Sequence, residues 1–503
     1  MLPGGSLTAA IVLAAGEGTR MHSAIPKVLH PMAGRPLVEH AVRAAAGLAP
    51  EHLVVVIGHG REAVDTHVRT VASALGRKVD TAVQAEQHGT GHAVSCGLDA
   101  LPAGLSGTVL VSYGDVPLLD TGTLTGLITE HHRAGQVVTM LSAVVDDPSG
   151  YGRVLRDASG ALAGIVEHRD ATPAEQAITE INSGIYVFDA AVLRAALGRL
   201  GTSNRQGELY LTDVVGLART DGLKIGAHSC TDPWLVAGVN DRVQLAALGA
   251  ELNRRLLQRW MRAGVTVVDP DSVWLDADVQ LSPDVVLHPG VQLHEGTVVG
   301  PGAVIGPDST LSGCTVGPGA TVVRTHAIGA TVGHGAQVGP FAYLRPGSRI
   351  GERAKVGTFV ETKNAELGAG AKVPHLSYVG DATIGAGSNI GAATVFVNYD
   401  GVAKHRTTVG SHARTGADNM FVAPVTVGDG AYTAAGSVIT DDVPPGALAV
   451  ARSHQRNVPD WVVQRRPGTP AAEAAKRAQD ATGRSGGNEG GGESTSGGDE
   501  QQE

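Results

Sequence analysis

Apolar residues recur at every sixth position in the second half of the chain. The first series consists of Leu275, Leu281, Leu287, Leu293, Val299, Ile305 and Leu311. Such a period differs from the turn of an α-helix and from the two-residue alternation of a strand. Stacked repeats of one short strand and one turn produce it, since each repeat buries its apolar side chains against its neighbours. The pattern therefore predicts a parallel β-helix.

The period resumes twice in a shifted register. The second series is Val332, Val338, Leu344, Ile350 and Val356, and the third is Val409, Thr415, Phe421, Val427, Thr433 and Ile439. A small or β-branched residue stands four positions after each member of the first series, namely Val279, Val285, Val291, Thr297, Ala303, Ser309 and Thr315. We expect these residues to fill the narrow interior, with glycine and proline at the corners.

The first half of the chain alternates strand-like and helical runs. Residues 7–15, 53–57 and 108–112 are predicted as buried strands, and residues 37–48 as a helix. This alternation is typical of βαβ units. The predicted fold is a Rossmann-like α/β nucleotide-binding domain with a mixed, mostly parallel sheet.

Changes in composition predict four segments in the 503 residues. They are the α/β domain at 1–241, a connecting helix at 242–264, the β-helix domain at 265–466 and a tail at 467–503. The tail is predicted to be disordered because its glycine, serine and acidic residues bury too little apolar surface to offset the entropy of ordering. Within it, only residues 471–481 have a helical composition.

Charge and cysteine content exclude several classes of protein. The formal charge of −10 argues against a surface for nucleic acid or anionic membrane. Neither a signal peptide nor a membrane span is predicted. The three cysteines form no CxxC pair, which argues against disulfides and a zinc ribbon and favours the reduced cytoplasm.

A glycine-rich segment follows the first predicted strand. Its backbone N–H groups could face a phosphate, and Arg20 and Lys27 add positive charge. The spacing of its glycines matches neither the dinucleotide fingerprint nor the P-loop. Asp115 follows the strand at 108–112, at the sheet edge where open α/β folds bind ligands. Since magnesium needs few protein oxygens, Asp115 and one partner from a distant segment would suffice to hold it.

Bulky polar residues interrupt the β-helix pattern at Arg345, Lys363 and His375. A neutral imidazole is suited to accept a proton near pH 7. We therefore predict His375 as a general base, with Arg345 and Lys363 binding a phosphate group.

Longer strings point to a family. Residues 13–21 read Leu-Ala-Ala-Gly-Glu-Gly-Thr-Arg-Met, with Pro26-Lys27 following, and this string resembles the signature of sugar-1-phosphate nucleotidylyltransferases. With the segments at 150–153, 165–168 and 180–184, residues 8–466 resemble the bacterial bifunctional N-acetylglucosamine-1-phosphate uridylyltransferase and glucosamine-1-phosphate N-acetyltransferase family. The resemblance implies a left-handed β-helix and a homotrimer with active sites between chains.

The resemblance also implies the chemistry. Acetyl-CoA would acetylate glucosamine-1-phosphate, and UTP would then convert the product to UDP-N-acetylglucosamine, a precursor of peptidoglycan and lipopolysaccharide. Mg²⁺ would lie between Asp115 and Asn240. The residues implied to bind UTP and the sugar nucleotide are Leu13, Ala14, Ala15, Gly16, Arg20, Lys27, Gln84, Gly89, Thr90, Tyr113, Gly114, Asp115, Gly152, Glu167, Asn182 and Asn240.

In the second half the resemblance implies that His375 is the catalytic base. Arg345, Lys363, Tyr378 and Asn389 would bind glucosamine-1-phosphate. The residues implied to surround acetyl-CoA are Ala392, Asn398, Tyr399, Ala417, Ala435 and Arg452. One departure concerns Gly416-Ala417-Asp418-Asn419, where the family often has Gly-Ser-Asp-Thr. It puts one hydrogen bond near the thioester in doubt.

Three other hypotheses remain at this point. The β-helix could be a structural or regulatory module on a monofunctional nucleotidylyltransferase. The chain could be a regulatory subunit that only binds nucleotide sugars, although Arg20, Lys27 and Asp115 argue against it. It could also be a β-helical metal-dependent hydratase, which needs three histidines from adjacent coils, and the candidates are His288, His294, His326 and His334.

Overall fold

The strands of the first 240 residues form one nine-stranded sheet and a small hairpin. The computed structural model describes residues 7–485. The sheet order is β11-β7-β10-β6-β1-β4-β5. Strand β8 pairs with β10, and β9 pairs with β8. Strands β2 and β3 form the hairpin. The strands are β1 (Leu7–Ala14), β2 (Pro31–Met32), β3 (Arg35–Pro36), β4 (His52–Ile57), β5 (Asp80–Val83), β6 (Thr108–Tyr113), β7 (Val138–Val144), β8 (Arg153–Arg156), β9 (Leu162–Val166), β10 (Glu180–Asp189) and β11 (Ile225–Cys230).

Helices cover both faces of this sheet. The α-helices are α1 (Leu37–Ala46), α2 (Arg61–Leu75), α3 (Thr90–Asp99), α4 (Thr121–Ala134), α5 (Pro173–Gln176), α6 (Ala190–Leu197), α7 (Asp213–Thr220) and α8 (Arg242–Arg262). Short 3₁₀ helices lie at Thr19–Met21, Lys27–Leu29 and Pro233–Val236. The central strands β1, β4 and β6 run parallel, and β10 is antiparallel to β6 and β7. The predicted mixed, mostly parallel α/β fold is confirmed.

Short parallel strands form the three faces of a β-helix. Face A contains Thr266–Val267, Val286–Leu287, Val304–Ile305, Thr321–Val322, Gln337–Val338, Lys355–Thr358, Lys372–His375, Arg414–Thr415, Tyr432–Thr433 and Leu448–Ala449. Face B contains Trp274–Leu275, Gln292–His294, Thr310–Ser312, Thr325–Ile328, Ala342–Leu344, Glu361–Lys363, Tyr378–Gly380, Val395–Val397, Met420–Val422 and Val438–Ile439. Face C contains Gln280–Leu281, Val298–Val299, Thr315–Val316, Thr331–Val332, Arg349–Ile350, Glu366–Leu367, Ala382–Ile384, Thr407–Val409 and Val425–Val427. The predicted parallel β-helix is thus confirmed, and its handedness stays a prediction.

The six-residue period marks the inward side of these strands. All members of the three predicted series are buried. The smaller residues four positions later are buried as well, except Thr315, which is exposed. At that point the repeat is one residue shorter, because strand Thr315–Val316 pairs with Val298–Val299 in a shifted register, and Cys314 takes the interior position.

Helix α8 joins the α/β domain to the first coil of the β-helix. The Asn253 side chain donates to the carbonyl of Val273 at 2.7 Å and accepts from the amide of Leu275 at 3.0 Å. Leu257 packs into the β-helix core. The hairpin adds a second link, because the Ala277 amide donates to the carbonyl of Ala33 at 2.9 Å. The chain up to Ala449 therefore forms one compact unit.

Residues 450–485 belong to a second compact unit. It contains α9 (Trp461–Arg465) and α10 (Pro470–Ser485), and Gln479 donates to the Asp460 carboxylate at 2.7 Å. The helical composition predicted at 471–481 corresponds to helix α10, because alanine, glutamate, lysine and arginine favour a helix there. Residues 486–503 of the predicted tail, and residues 1–6, lie outside the described residues.

Within residues 7–485, none of the helices combines the length and apolar character needed to cross a membrane.

The β-helix interior predicts a large effect for a single truncation. Leu293 is fully buried in the continuous core, whereas the neighbouring Gln292 side chain is exposed. Leu293→Ala should lower the free energy of unfolding by about 2–5 kcal/mol, because it leaves a cavity in close-packed surroundings. Urea unfolding of the full chain measures the change. Gln292→Ala is the control and should change the midpoint little, so equal effects of the two variants would contradict the inward assignment.

Candidate active sites

Two adjoining cavities lie at the carboxyl ends of β1 and β6. One has a volume of about 270 Å³ and the other about 250 Å³, and both are lined by Thr90, Tyr113 and Asp115. Ligands of open α/β sheets bind at this edge because the loops after parallel strands converge there. A ligand could thus extend from one cavity into the other past Asp115.

The glycine-rich segment and the start of α3 line the first cavity. Its walls include these predicted nucleotide-binding residues: Leu13, Ala14, Ala15, Gly16, Lys27, Gln84, Gly89 and Thr90. Gly18 has a left-handed backbone (φ 63°), and a Cβ atom there would meet the Lys27 side chain. Glycine at position 18 therefore lets Lys27 approach the cavity.

The cations and the predicted metal ligands meet in this region. Lys27 forms an ion pair with Asp115, and Arg20 donates to the Asn240 side-chain oxygen at 2.9 Å. The Val239 amide donates to the Asp115 carbonyl at 2.9 Å, which ties the two metal-ligand segments together. Two oxygen donors from distant segments therefore lie against the same cavity, which fits a hard cation such as Mg²⁺.

The N-terminus of α8 holds Asn240 in place. The Asp241 side chain caps this helix by accepting from the Gln244 amide at 2.8 Å. The Gln244 side chain in turn accepts from the Asn240 amide at 2.7 Å. The helix that reaches the β-helix therefore also positions a residue of the nucleotide site.

Gly152, Glu167 and Asn182 meet in the second cavity, as predicted. A Cβ atom on Gly152 would lie 3.4 Å from the Glu167 carboxylate and 3.5 Å from the Asn182 Cβ atom. The Asn182 side-chain oxygen accepts from the Gly184 amide and the Tyr186 hydroxyl, both at 2.9 Å. These bonds orient the Asn182 amide nitrogen as a donor for a ligand.

The ionisation of Glu167 depends on its surroundings. Burial raises the pKa of the Glu167 carboxyl, and the negative charges of Asp170 and Asp213 raise it further. The Thr212 hydroxyl, which donates to Glu167 at 3.1 Å, has the opposite effect. Burial also raises the pKa of Tyr113. Its phenol therefore stays protonated between the two cavities.

Several residues of these cavities were not predicted. Gln87 donates to the Ala15 carbonyl at 2.9 Å and lines the first cavity, and Thr212 lines the second. Gln87 lies between the predicted residues Gln84 and Gly89, so that segment could have identified it. Thr212 lies in no recognised motif and is brought to Glu167 only by folding.

The predicted acetyl-transfer residues form two groups on the β-helix. The first follows one corner, where backbone bonds join successive coils. Ala393 donates to the His375 carbonyl at 3.2 Å, Asp418 to that of Ala392 at 2.7 Å and Gly436 to that of Ala417 at 2.9 Å. Exposed His375 thus heads a column that contains Ala392, Ala417 and Ala435. Asn389 lies one strand beyond Lys372–His375 on face A.

The second group lies at the other end of the same face-B strands. Arg345 donates to Glu361 at 3.0 Å, and Lys363 lies 4.0 Å from the Asp381 carboxylate. The Asn398 amide also donates to Asp381. A side chain at Gly380 would meet the Tyr378 ring and the Asn398 amide, so these two flank one point.

A loop at residues 398–406 carries further residues to this group. Tyr399 and Lys404 pair across the loop, which Arg406 anchors by donating to the Thr383 hydroxyl at 2.7 Å. The approach of the Lys404 side chain lowers the pKa of Lys363, as does burial, whereas Asp381 raises it. Lys404 was not predicted, although it lies five residues after the predicted Tyr399.

Ala417 and Arg452 are the remaining residues predicted to surround acetyl-CoA. Ala417 is exposed, and its carbonyl accepts from the buried Asn419 amide at 3.1 Å. Arg452 lies in the second compact unit, and its predicted role stays a prediction.

The histidines proposed for a hydratase do not form a metal site. Among the residues whose side chains are described, no three His, Cys, Asp or Glu side chains gather as a metal site would require. His294 instead lies 3.3 Å from the Asp276 carboxylate, and His326 packs against the Tyr343 ring. Within the described residues of one chain, these histidines therefore do not gather as the hydratase hypothesis expects.

Known proteins match this chain across both its α/β half and its β-helix half. Residues 10–178 match the MobA-like NTP transferase domain family. A protein from Kineococcus radiotolerans named "Bifunctional protein GlmU" is 61% identical over 94% of this chain and 95% of its own length. Proteins with the same name from a Mycobacterium species and Corynebacterium efficiens are 57% and 55% identical, each over 94% of this chain and over 94% and 97% of their own lengths. The chain therefore belongs to the GlmU family of bifunctional proteins.

Proposed function

We propose that each half of the chain catalyses one of two successive reactions. The β-helix transfers the acetyl group of acetyl-CoA to glucosamine-1-phosphate. The cavities beside Asp115 then transfer a uridylyl group from UTP to the resulting N-acetylglucosamine-1-phosphate. The observation that carries the proposal is that bifunctional relatives match the chain across both sites. The chain is accordingly a bifunctional uridylyltransferase and acetyltransferase that acts on small molecules.

Uridylyl transfer requires positioning and charge neutralisation. An oxygen of the sugar phosphate attacks the α-phosphorus of UTP, the bond to the β-phosphate breaks, and pyrophosphate leaves without a protein nucleophile. Arg20 and Lys27 would face the phosphates, and Glu167 and Asn182 would hold the sugar. Asp115 and Asn240 would hold Mg²⁺, which supplies further charge neutralisation when bound.

Acetyl transfer requires removal of a proton from the substrate amine. The amine attacks the thioester carbonyl, His375 accepts its proton, and the carbon–sulfur bond breaks to release CoA. Arg345, Lys363 and Tyr378 would hold the sugar phosphate, and we add Lys404 to this set because its charge lies beside Lys363. The half-buried Ala392 and the exposed Ala417 and Ala435 would leave room for acetyl-CoA.

The proposed assembly is a homotrimer. Phe341, Phe359 and Leu376 form an exposed apolar column at the His375 corner, and the two phenylalanine rings stack with centroids 5.5 Å apart. Exposed apolar patches mark interaction surfaces. A neighbouring copy would cover this column and border the acetyl site. We place the protein in the cytoplasm, consistent with its three free cysteines.

A substitution in one site should impair one reaction and leave the other intact. Asp115→Ala should reduce pyrophosphate release from UTP and N-acetylglucosamine-1-phosphate by 100-fold or more, while CoA release persists. His375→Ala should give the reverse, since loss of a general base costs roughly 10²–10⁴-fold. Pyrophosphate and CoA are followed separately with the full chain. His334→Ala, an exposed histidine on the same β-helix, is the control. Near-normal uridylyl transfer by Asp115→Ala would contradict the metal assignment.

The environment of Glu167 predicts a pH effect. If its carboxylate binds the sugar, kcat/KM for N-acetylglucosamine-1-phosphate should fall as the pH drops through its raised pKa. Thr212→Val removes a hydrogen bond that lowers this pKa, so the decline should begin at a higher pH. Profiles of pyrophosphate release measure this.

Ionisation of the substrate is common to all variants and does not explain a difference between them. Thr66→Val, on an exposed face of α2, is the control. Superimposable profiles of wild type and Thr212→Val would argue against a bound carboxylate.

The departure at Ala417 predicts a tolerant position. Ala417→Ser should leave acetyl transfer unchanged or raise it, because the side chain is exposed beside the proposed thioester and a hydroxyl adds a donor. The rate of CoA release measures this. A large fall would show that residues 416–419 are aligned wrongly with the family.

A further inference from the structure

Asp381 lies at the centre of the proposed acetyl site, although it belongs to none of the predicted binding sets. It occupies the corner between the face-B strand Tyr378–Gly380 and the face-C strand Ala382–Ile384. Its amide donates to the Lys363 carbonyl at 2.9 Å, and its carbonyl accepts from the Thr407 amide at 3.1 Å. Its backbone is thus held by the coils on both sides.

The Asp381 carboxylate joins residues from two other segments, at 363–364 and at 398. One oxygen accepts from the Asn364 amide at 2.8 Å. The other accepts from Asn398 and lies 4.0 Å from the Lys363 ammonium. Only 13% of the Asp381 side chain is exposed. Such charge-assisted bonds in a partly desolvated place are strong and directional.

The partners of Asp381 belong to the proposed binding sets of two different substrates. Lys363 faces the proposed phosphate, and Asn398 belongs to the proposed acetyl-CoA set. We propose that Asp381 is a positioning residue that holds Lys363 and Asn398 in one arrangement and so joins the two substrate subsites. This inference rests on the proposed acetyl transfer and assigns Asp381 no contact with substrate.

An alternative role predicts the opposite result. If Asp381 merely neutralised nearby cations, its removal would make the site more positive and tighten binding of the anionic sugar phosphate. If it holds Lys363 and Asn398, its removal would weaken binding despite the added positive charge. The sign of the change in KM therefore separates the two roles.

The backbone conformation of Asp381 determines which substitution can test its role. Asp381 has a left-handed conformation (φ 45°), which asparagine tolerates better than other side chains. Asp381→Asn therefore keeps shape and backbone while removing the charge and one of two acceptor oxygens. Asp308→Asn is the matched control, because Asp308 is also a left-handed corner residue (φ 48°) and pairs with Arg324 at 2.8 Å.

The test measures CoA release by the full chain. Asp381→Asn should raise KM for both glucosamine-1-phosphate and acetyl-CoA about tenfold, the scale of one charge-assisted hydrogen bond. Uridylyl transfer by the same chain should stay unchanged and reports that the variant is folded. Asp308→Asn should match wild type in both reactions.

A pH profile adds a result that a merely structural role would not produce. Lys363 faces Lys404 and Arg345 as well as Asp381, with Glu361 paired to Arg345. Because Asp381 raises the pKa of Lys363, its loss should let Lys363 deprotonate at a lower pH. In Asp381→Asn, KM for glucosamine-1-phosphate should therefore rise at a lower alkaline pH than in wild type.

Failure of each idea has a distinct signature. Wild type that releases no CoA would overturn the proposed acetyl transfer and this inference with it. Active wild type with an Asp381→Asn variant whose KM values are unchanged or lower would overturn the inference alone. An Asp308→Asn variant as impaired as Asp381→Asn would also overturn it, since the effect would then belong to any corner carboxylate.

Discussion

The hydrogen bonds between successive coils of the β-helix determine where its chemistry can lie. Short strands pair in parallel with the strand one coil later, so residues 16–18 positions apart become neighbours in most coils. Across the loop at 398–406 the paired residues are 25 positions apart. Tyr343 pairs with Glu361, and Glu361 pairs with Tyr378. A side chain that interrupts the repeat is thus held beside the interruption in the next coil. Rigid stacking of this kind lets a β-helix build a site from residues of several coils.

The α/β domain assembles its site by a different constraint. Its central parallel strands end at one edge, and the segments after β1 and β6 converge there. The contacts that complete the site come from far along the chain, as when Arg20 meets Asn240 and Thr212 meets Glu167. Hydrogen bonds from Gly184 and Tyr186 orient the side chain of Asn182, and one from Thr212 orients that of Glu167.

Helix α8 connects the α/β domain to the β-helix. Its N-terminus holds Asn240 through Gln244, and Asn253 near its middle bonds to the backbone at Val273 and Leu275. A single helix therefore touches the proposed nucleotide site and the first coil. The regular coils between residues 275 and 311 then separate the proposed nucleotide site from the proposed acetyl site.

The sequence by itself determined the features that follow from local periodicity and short motifs. The six-residue period identified inward residues such as Leu293, and the glycine-rich string located the nucleotide edge. The six-residue period did not predict the one-residue shift at Thr315, because strand pairing and not spacing sets the register. Tertiary structure alone decided which charged groups meet: it placed Lys404 beside Lys363 and Asp381 between Lys363 and Asn398. Such contacts depend on coil stacking and loop paths, and no local pattern in the chain encodes them.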